Sequence, residues 1–345
     1  ASAGFETHLV APATRSYSKR GVIIHGVHQK KEGRFWRMIE AGSRTFSRAK
    51  ALNAKIYHLH DPELLPYGIL LKAAGKKVVY DVHEDVPRDI ESKPWIPKLM
   101  RRMVGTLFEH FENSIASHLS AVVAATPFIR KRFSKINAVT CTVNNYPIIG
   151  ELLTADAFSD FSASARPYVC YAGGISAIRG LREMIAAISI IDSPLLLAGV
   201  FSHDNLHRDS MKLPGWKQVE YLGQVARREL ALMLNRSFAG LVLYHPEANH
   251  INSQPTKMFE YMSAGLPVIV SDFPLWRDIV QRIGCGICVN PFDTEEIAKA
   301  IRFLDRNRNL AKSMGEKGLS AVSKEFNWQR EQAVLINLYK TLLSS

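Results

Sequence analysis

Short apolar segments rich in β-branched residues alternate with helical segments along almost the whole chain, and this alternation restricts the possible folds more than any other feature. In the first half, the predicted strands are residues 7–11, 22–27, 55–59, 77–82, 121–125 and 140–143. In the second half, they are residues 168–171, 195–198, 218–221, 239–243, 267–270 and 286–289, with helices at 181–190, 227–235, 256–264 and 294–304. Such alternation is typical of parallel sheets covered by helices on both faces. We therefore predict an α/β fold with two facing, doubly wound, Rossmann-like domains.

A stretch rich in Ser, Ala and Asp separates the two runs of strands. We interpret residues 148–167 as a linker on this basis. The predicted domains are residues 1–147 and 168–326, and residues 327–345 form a final helix long enough to pack back across the domains. Residues 1–4 are typical of the end of a helix that leads into the first strand. We therefore expect that an upstream strand and helix are missing from the first domain.

The composition favours a globular protein of the cytoplasm. A chain of 345 residues with 47% hydrophobic content can build two separate cores. No apolar run approaches the ~20 residues that a membrane-spanning helix needs. The four cysteines are too few for a disulfide framework, which indicates a reducing compartment.

The positive charge is concentrated in the first half of the chain. Residues 1–147 contain 23 Lys and Arg against 12 Asp and Glu, whereas residues 148–345 contain 21 against 20. Many of the basic residues flank apolar stretches, namely Lys93, Lys98, Arg101, Arg102, Arg130, Lys131, Arg132 and Lys135. This pattern suits an anionic surface on the inner face of the cell membrane. No nucleic-acid-binding motif accompanies the charge, so a nucleic acid partner is not expected.

A helix predicted over residues 93–111 would carry the membrane contact. It places Trp95, Ile96, Leu99, Met100 and Met103 on one side, where they could enter a lipid interface. The alternative is that these apolar residues pack into the core and that the basic residues form a solvated surface.

A glycine-rich turn follows the first predicted strand of the second half. The sequence YAGGISAIRG, residues 171–180, places Gly173 and Gly174 between that strand and a helix. Glycines let the backbone approach an anion closely, and Arg179 can bind two phosphate oxygens at once. The turn therefore indicates a phosphate site, although a tight turn that needs glycine for its backbone alone is the other interpretation.

A lysine stands in the first turn of a later predicted helix, in the sequence QPTKMFEYMSAGLPVIVSD, residues 254–272. Cations are disfavoured at a helix N-terminus by roughly 0.3–1 kcal/mol. Lys257 is explained if an anion binds there, because the free N–H groups of a first helical turn also attract anions. The alternative is an exposed ion pair between Lys257 and Glu260.

Three stretches of the second half carry a resemblance to a known family: YAGGISAIRG, YLGQVARREL (residues 221–230) and PTKMFEYMSAGLPVIVSDFPLWRDIV (residues 255–280). They resemble the retaining glycosyltransferases of the GT-B fold, specifically glycosyltransferase family 4, over nearly the whole second half. The sequences HLHDPE, residues 58–63, and YDVHED, residues 80–85, add a looser match in the first domain.

The resemblance implies a role for each of several residues. Family members usually carry two glutamates separated by seven residues; Glu260 matches the second, which contacts the nucleotide ribose, and Asn252 stands at the first, beside the donor sugar. Gly174 replaces an arginine of the usual diphosphate loop, and Arg179 stands where a lysine is usual, so Lys257 could supply the missing charge. The implied nucleotide-sugar site contains Gly173, Gly174, Arg179, Val225, Ser253, Thr256, Lys257 and Glu260. The implied catalytic residues are His83 and Asn252, the acceptor side contains His60, Asp61 and Glu84, and no metal ligands or cofactor are expected.

The expected activity is transfer of a sugar from a UDP or GDP donor to a glycan or lipid-linked acceptor, with retention of configuration and without a metal. By resemblance, this transfer belongs to polysaccharide biosynthesis. Two alternatives remain open. A nucleotide-sugar epimerase or hydrolase of the same fold could use His60, Asp61, His83 and Glu84 to move protons. A non-catalytic nucleotide-sugar-binding subunit would explain Asn252, which carries no charge to stabilise a developing cation.

Overall fold

The computed structural model describes residues 1–27, 34–93, 96–153 and 166–344, without the side chains of residues 34–39 and 92. These residues form two compact units. The first unit consists of Ala1–Asn144 together with Gln332–Ser345, and the second unit is Asn145–Glu331.

The first unit contains two hydrogen-bonded sheets. One has the strand order β1-β3-β2, and the other has the order β4-β5-β6-β7 with all neighbours parallel. The strands are β1 (Thr7–Pro12), β2 (Tyr17–Lys19), β3 (Val22–Val27), β4 (Ile56–Leu59), β5 (Lys77–Val82), β6 (Ala121–Ala124) and β7 (Thr140–Thr142). The helices are α1 (Arg34–Ala51), α2 (Leu65–Ala73), α3 (Val86–Ser92), α4 (Lys98–His118) and α5 (Pro127–Phe133).

The second unit is built around one six-stranded parallel sheet with the order β10-β9-β8-β11-β12-β13. Its strands are β8 (Tyr168–Ala172), β9 (Leu195–Ala198), β10 (Val219–Gly223), β11 (Ser237–Val242), β12 (Val268–Ser271) and β13 (Gly286–Val289). Its helices are α6 (Leu181–Ile191), α7 (Asp204–Ser210), α8 (Arg227–Asn235), α9 (Ala248–Ile251), α10 (Thr256–Ser263), α11 (Pro274–Ile283), α12 (Thr294–Arg306) and α13 (Arg308–Lys324). The last helix, α14 (Trp328–Ser344), leads from this unit into the C-terminal segment of the first.

The predicted α/β class with parallel sheets is confirmed, and the first unit adds a feature that the prediction lacked. Strand β2 pairs antiparallel with β3, and the turn between them is formed by Arg20 and Gly21, both with positive φ. Two consecutive positive φ values are characteristic of the tight turns that suit the twist of a hairpin. The three residues of β2 are all exposed, so no apolar periodicity marked them in the sequence.

Apolar side chains cover the two all-parallel sheets, which are β4-β5-β6-β7 in the first unit and the six-stranded sheet in the second. In the second unit, β9, β11 and β12 are buried at every position, as expected for strands with helices on both faces. In the first unit, Leu338 and Leu342 of α14 pack against Val79, Ala121 and Val123 of the central strands. The C-terminal segment therefore covers part of the sheet β4-β5-β6-β7.

The helix predicted over residues 93–111 begins later and runs further than expected. It is α4, which begins at Lys98 after Pro97 and ends at His118; Trp95 lies outside the described residues. Of the apolar residues assigned to the membrane side, Leu99, Met100 and Met103 are exposed, as are Leu107 and Phe111 of the same helix, whereas Ile96 is half-buried. The alternative that they pack into the core is therefore wrong for Leu99, Met100 and Met103 in the first unit taken by itself. Within the described ranges, no helix has the length and apolar character to cross a membrane.

Candidate functional site

The carboxyl end of β8 carries the glycine turn that the sequence indicated. Gly173 has φ +126°, which side chains other than hydrogen rarely tolerate, and a Cβ on it would lie 3.1 Å from Lys257 Nζ. A Cβ on Gly174 would lie 2.5 Å from Arg179 Nη1. The positive φ of Gly173 therefore requires glycine, and two cationic side chains approach the backbone of this turn closely.

Lys257 is buried, with only 7% of its surface exposed. Its Nζ has no hydrogen-bond partner among the described residues, and it lies 3.5 Å from the centre of the Tyr171 ring and 5.4 Å from that of Tyr244. Burial, reinforced by the nearby charge of Arg179, holds the pKa of Lys257 well below its ordinary value. The alternative of an exposed Lys257–Glu260 ion pair is therefore wrong, and a buried amine without a hydrogen-bonding partner has the surroundings of an anion site.

Arg179 lies on the other side of the glycine turn. Its Nη1 donates a hydrogen bond of 3.1 Å to the carbonyl of Gly174, which also accepts one of 2.7 Å from the Tyr171 hydroxyl. Its guanidinium carbon is 5.5 Å from the centre of the Tyr244 ring. We call Gly173, Gly174, Arg179 and Lys257 the cationic site.

Glu260 follows one turn after Lys257 on α10, and it is held by a residue that the sequence analysis missed. Arg227, at the start of α8, donates to Glu260 Oε1 at 2.5 Å and also contacts Glu151. Burial lowers the pKa of Arg227, but the hydrogen bonds to Glu151 and Glu260 outweigh it and raise the pKa above its ordinary value. The YLGQVARREL stretch contains Arg227, but nothing in its spacing indicated which carboxylate it would contact.

The remaining residues assigned to nucleotide-sugar binding lie on loops and helix ends of the same unit. Ser253 donates to the His250 carbonyl, and its own carbonyl accepts from Trp276 Nε1 at 2.7 Å. Thr256 begins α10, and its hydroxyl accepts from Asn145 at 3.3 Å. Asn252 directly follows α9 as its C-cap residue, and it is half-buried. Val225 is half-buried in the loop after β10 and packs against the core.

The residues assigned to the first domain lie at the carboxyl ends of β4 and β5. His60 and His83 contact each other through Nδ1 and Nε2 at 3.1 Å, and each side chain is 53% exposed. Asp61 precedes a short helical turn, and Glu84 lies in the loop after β5.

Sequence analysis missed Asp81, which lies beside these two histidines. Its Oδ2 is 3.0 Å from His58 Nε2, 3.4 Å from His60 Nδ1 and 3.6 Å from His83 Nε2. Burial raises the pKa of Asp81, but hydrogen bonds from His58 and His60 outweigh it and hold the pKa below its ordinary value. Asp81 is therefore an ionised carboxylate among three imidazoles.

The fold and these strand-end sites are similar to those of GT-B glycosyltransferases, and the family models that match the chain are models of glycosyltransferases. The two parts of the chain match two family models, which between them account for most of its length. Residues 1–143 match Glycosyltransferase Family 4, and residues 155–320 match Glycosyl transferases group 1.

Solved structures of GT-B glycosyltransferases are similar to the chain over most of its length. Sucrose-phosphate synthase from Thermosynechococcus elongatus is 16% identical with a TM-score of 0.79, over 99% of this chain and 90% of that one. HepE from Anabaena, in complex with UDP-glucose, is 16% identical with a TM-score of 0.70, over 94% and 87%. TarM from S. aureus, in complex with fondaparinux, α-GlcNAc-glycerol and UDP, is 14% identical with a TM-score of 0.67, over 87% and 59%.

At these identities the likeness to solved structures shows the fold alone. No curated protein matches the chain.

Proposed function

We propose that the protein transfers a sugar from a nucleoside diphosphate donor of the UDP or GDP type to a glycan or lipid-linked acceptor, with retention of the anomeric configuration and without a metal. The observation that carries this proposal is the buried Lys257 amine, which has no hydrogen-bond partner in the part of the chain that the structure describes and lies close to the Gly173 backbone. A bound diphosphate would supply the negative charge and the hydrogen-bond acceptors that the protonated amine needs.

The departing diphosphate is the group that the cationic site would stabilise. Lys257 and Arg179 provide two positive charges, and the N-terminus of α10 adds free N–H groups and the positive end of its dipole. Preorganised charges of this kind stabilise developing negative charge without a metal ion. This supports a transfer in which the leaving group is neutralised by the protein itself.

The ribose is the second group that the geometry accommodates. Glu260 is 15% exposed and is held by Arg227, so its carboxylate is oriented before a ligand arrives. An ionised carboxylate accepts hydrogen bonds from two adjacent hydroxyls. Glu260 is therefore assigned to the ribose hydroxyls, with Val225, Ser253 and Thr256 as further nucleotide contacts.

The kinds of substrate follow those of the structural neighbours. HepE was solved with UDP and with UDP-glucose, and TarM was solved with UDP and α-GlcNAc-glycerol. These ligands support a nucleotide-sugar donor and a hydroxyl acceptor for this chain. His83 and Asn252 are assigned to the sugar, and His60, Asp61 and Glu84 to the acceptor.

Product analysis by NMR with a panel of UDP and GDP sugars tests the proposal, with and without a glycan or lipid-linked acceptor. We expect a glycoside with the donor's anomeric configuration, formed equally well in EDTA. An inverted product would contradict retention, and a strict metal requirement would contradict the role given to the cationic site. A changed or hydrolysed donor sugar would favour the epimerase or hydrolase, and binding without any product would favour the non-catalytic subunit.

Helix α4 supports a peripheral position on an anionic membrane, such as polysaccharide assembly on a lipid carrier requires. Its buried residues Gly105, Glu112 and Ala116 lie on one side. By helical spacing, the exposed residues Leu99, Met100, Met103, Leu107 and Phe111 form a stripe on the other side. An apolar stripe beside basic residues is typical of helices that lie in a lipid interface.

Vesicle flotation tests this membrane assignment. Replacing Lys98, Arg101 and Arg102 by Gln should weaken binding to anionic vesicles by roughly 3 kcal/mol, at about 1 kcal/mol for each basic residue. Neutral vesicles serve as the control. Wild-type protein that stays unbound with anionic lipid at low salt would contradict the assignment.

A further inference from the structure

The first unit contains a polar cluster that the proposed transfer does not fully explain. It consists of His58, His60, Asp81 and His83, and we call it the histidine cluster. Strands β4 and β5 pair in parallel with His58 opposite Val79 and Leu59 opposite Tyr80. Because side chains alternate along a strand and paired strands lie about 4.8 Å apart, His58, His60 and Asp81 lie on one face of the sheet.

Three atoms of the cluster form a nearly equilateral triangle. His60 Nδ1 is 3.1 Å from His83 Nε2 and 3.4 Å from Asp81 Oδ2, and His83 Nε2 is 3.6 Å from the same oxygen. Both histidine side chains are 53% exposed. The triangle is therefore open to solvent on one side.

The edge between His60 Nδ1 and His83 Nε2 has hydrogen-bond geometry, whereas the two edges to Asp81 Oδ2, at 3.4 and 3.6 Å, are long for hydrogen bonds. Each of the three atoms has a lone pair when it carries no proton. A cation at the centre would accept a lone pair from each of the three atoms.

We propose that His60, Asp81 and His83 bind a divalent transition-metal ion such as Zn²⁺. Zinc bonds to histidine nitrogen and carboxylate oxygen are about 2.0–2.2 Å long, so adjacent ligand atoms in a tetrahedral site lie roughly 3.3–3.5 Å apart. The three edges of the triangle scatter around this separation. Imidazole is a good ligand for such ions, and the fourth position faces solvent, where water would complete the coordination.

A second layer of contacts holds the carboxylate in place. His58 Nε2 donates to Asp81 Oδ2 at 3.0 Å, and the Tyr339 hydroxyl donates to His58 Nδ1 at 2.6 Å. Metal-ligating carboxylates are commonly oriented by such outer partners. Tyr339 belongs to α14, so the C-terminal helix is a positioning element of the site.

Metal binding here is independent of the proposed nucleotide site, which belongs to the second unit. An ion in the histidine cluster would occupy His60 and His83, the two histidines assigned to the acceptor and the sugar. The site is therefore inhibitory for transfer when it is filled, and it has no part in the departure of the diphosphate.

Metal titration of the whole chain in metal-free buffer tests the proposal without any nucleotide. We expect Zn²⁺ to bind at one ion per chain by calorimetry, and Co²⁺ to give the strong visible absorption of a four-coordinate ion. His60→Gln and His83→Gln should each lower the affinity at least about tenfold. Tyr339→Phe keeps every ligand and should lower the affinity through the lost orientation of His58, by less than the roughly 10–100-fold typical of a direct partner of a ligand.

His110→Gln is the matched control, because His110 is an exposed histidine of α4 in the same unit. It should bind the metal as wild type does. No stoichiometric binding to wild type would overturn the proposal. Unchanged affinity in both His60→Gln and His83→Gln would overturn it as well, since the ion would then lie elsewhere. Circular dichroism confirms that each variant is folded.

Discussion

The cationic site and the histidine cluster both lie at the carboxyl ends of parallel strands, yet they are built for opposite charges. In the cationic site, glycines bring the backbone close to Lys257 and Arg179, and the lysine amine is buried without a hydrogen bond to any described residue. In the histidine cluster, three imidazoles surround the single carboxylate of Asp81, and those of His60 and His83 are about half exposed. In our two proposals, the same position in the two sheets binds an anion in one unit and a cation in the other.

This difference indicates that the fold determines where a ligand site forms, whereas the side chains at that site determine which ligand it suits. The ends of parallel strands position loops and helix N-termini together. What binds there depends on the neighbouring residues: glycines with cationic side chains suit an anion, and side chains with lone pairs suit a metal ion. Changing a charged residue in one of the two sites should therefore alter the affinity for its own class of ligand and leave the affinity of the other site unchanged.

The largest effect is expected from Lys257→Met, which keeps the shape of the side chain and removes its charge. Loss of a buried charged partner should weaken UDP or GDP binding by about 2–5 kcal/mol, measured by calorimetry. The same change removes a buried amine without a partner, so the melting temperature should rise by roughly 2–4 °C for each kcal/mol gained. Lys217→Met, at an exposed lysine of the same unit, is the control and should change neither value. Unchanged affinity together with a lower melting temperature would make Lys257 a structural residue.

A smaller loss is expected from Arg179→Ala. The guanidinium is half-buried and can share its contacts with water, so the loss of nucleoside diphosphate affinity should be roughly 1.5–3 kcal/mol. Arg182→Ala removes an exposed arginine of α6 three residues later and should leave the affinity unchanged. Equal behaviour of the two variants in a folded protein would remove Arg179 from the site.

Glu260→Gln should have the smallest effect and should separate the ribose from the diphosphate. Affinity for UDP or GDP should fall by about 1 kcal/mol, because one charged acceptor of the ribose hydroxyls is lost. Affinity for inorganic pyrophosphate should remain nearly intact, since pyrophosphate has no ribose. If both ligands lose the same free energy, Glu260 acts on the phosphates or on packing instead.

The sequence was most informative where a local rule applied. Strand periodicity predicted β3, β5, β9 and β13 with their observed bounds. The Gly173–Gly174 turn and the unusual position of Lys257 each pointed to an anion. The glycine turn and Lys257 lie close together because parallel strands end at the same edge of a sheet.

Local rules were insufficient where a contact joins distant segments. Arg227 meets Glu260 across 33 positions, and Asp81 meets His58 across 23, and no periodicity specifies such pairs. The exposed hairpin strand β2 has no buried face to produce a pattern. The later start of α4 follows from Pro97, which has an extended backbone and precedes the first helical residue.

The most direct test of the cationic site is whether nucleotide binding takes up a proton. Burial holds the pKa of free Lys257 well below its ordinary value, and a bound diphosphate should raise it. In the pH window between the free and bound pKa values, binding therefore takes up a proton, and affinity falls as the pH rises through that window. The measurement is the heat of UDP or GDP binding in buffers of different ionisation enthalpy, at a series of pH values above about 7.5, where the phosphates are fully ionised. We predict net proton uptake by wild type and none by Lys257→Met at saturating nucleotide. Equal uptake by both proteins, or binding to wild type without any uptake, would contradict the account.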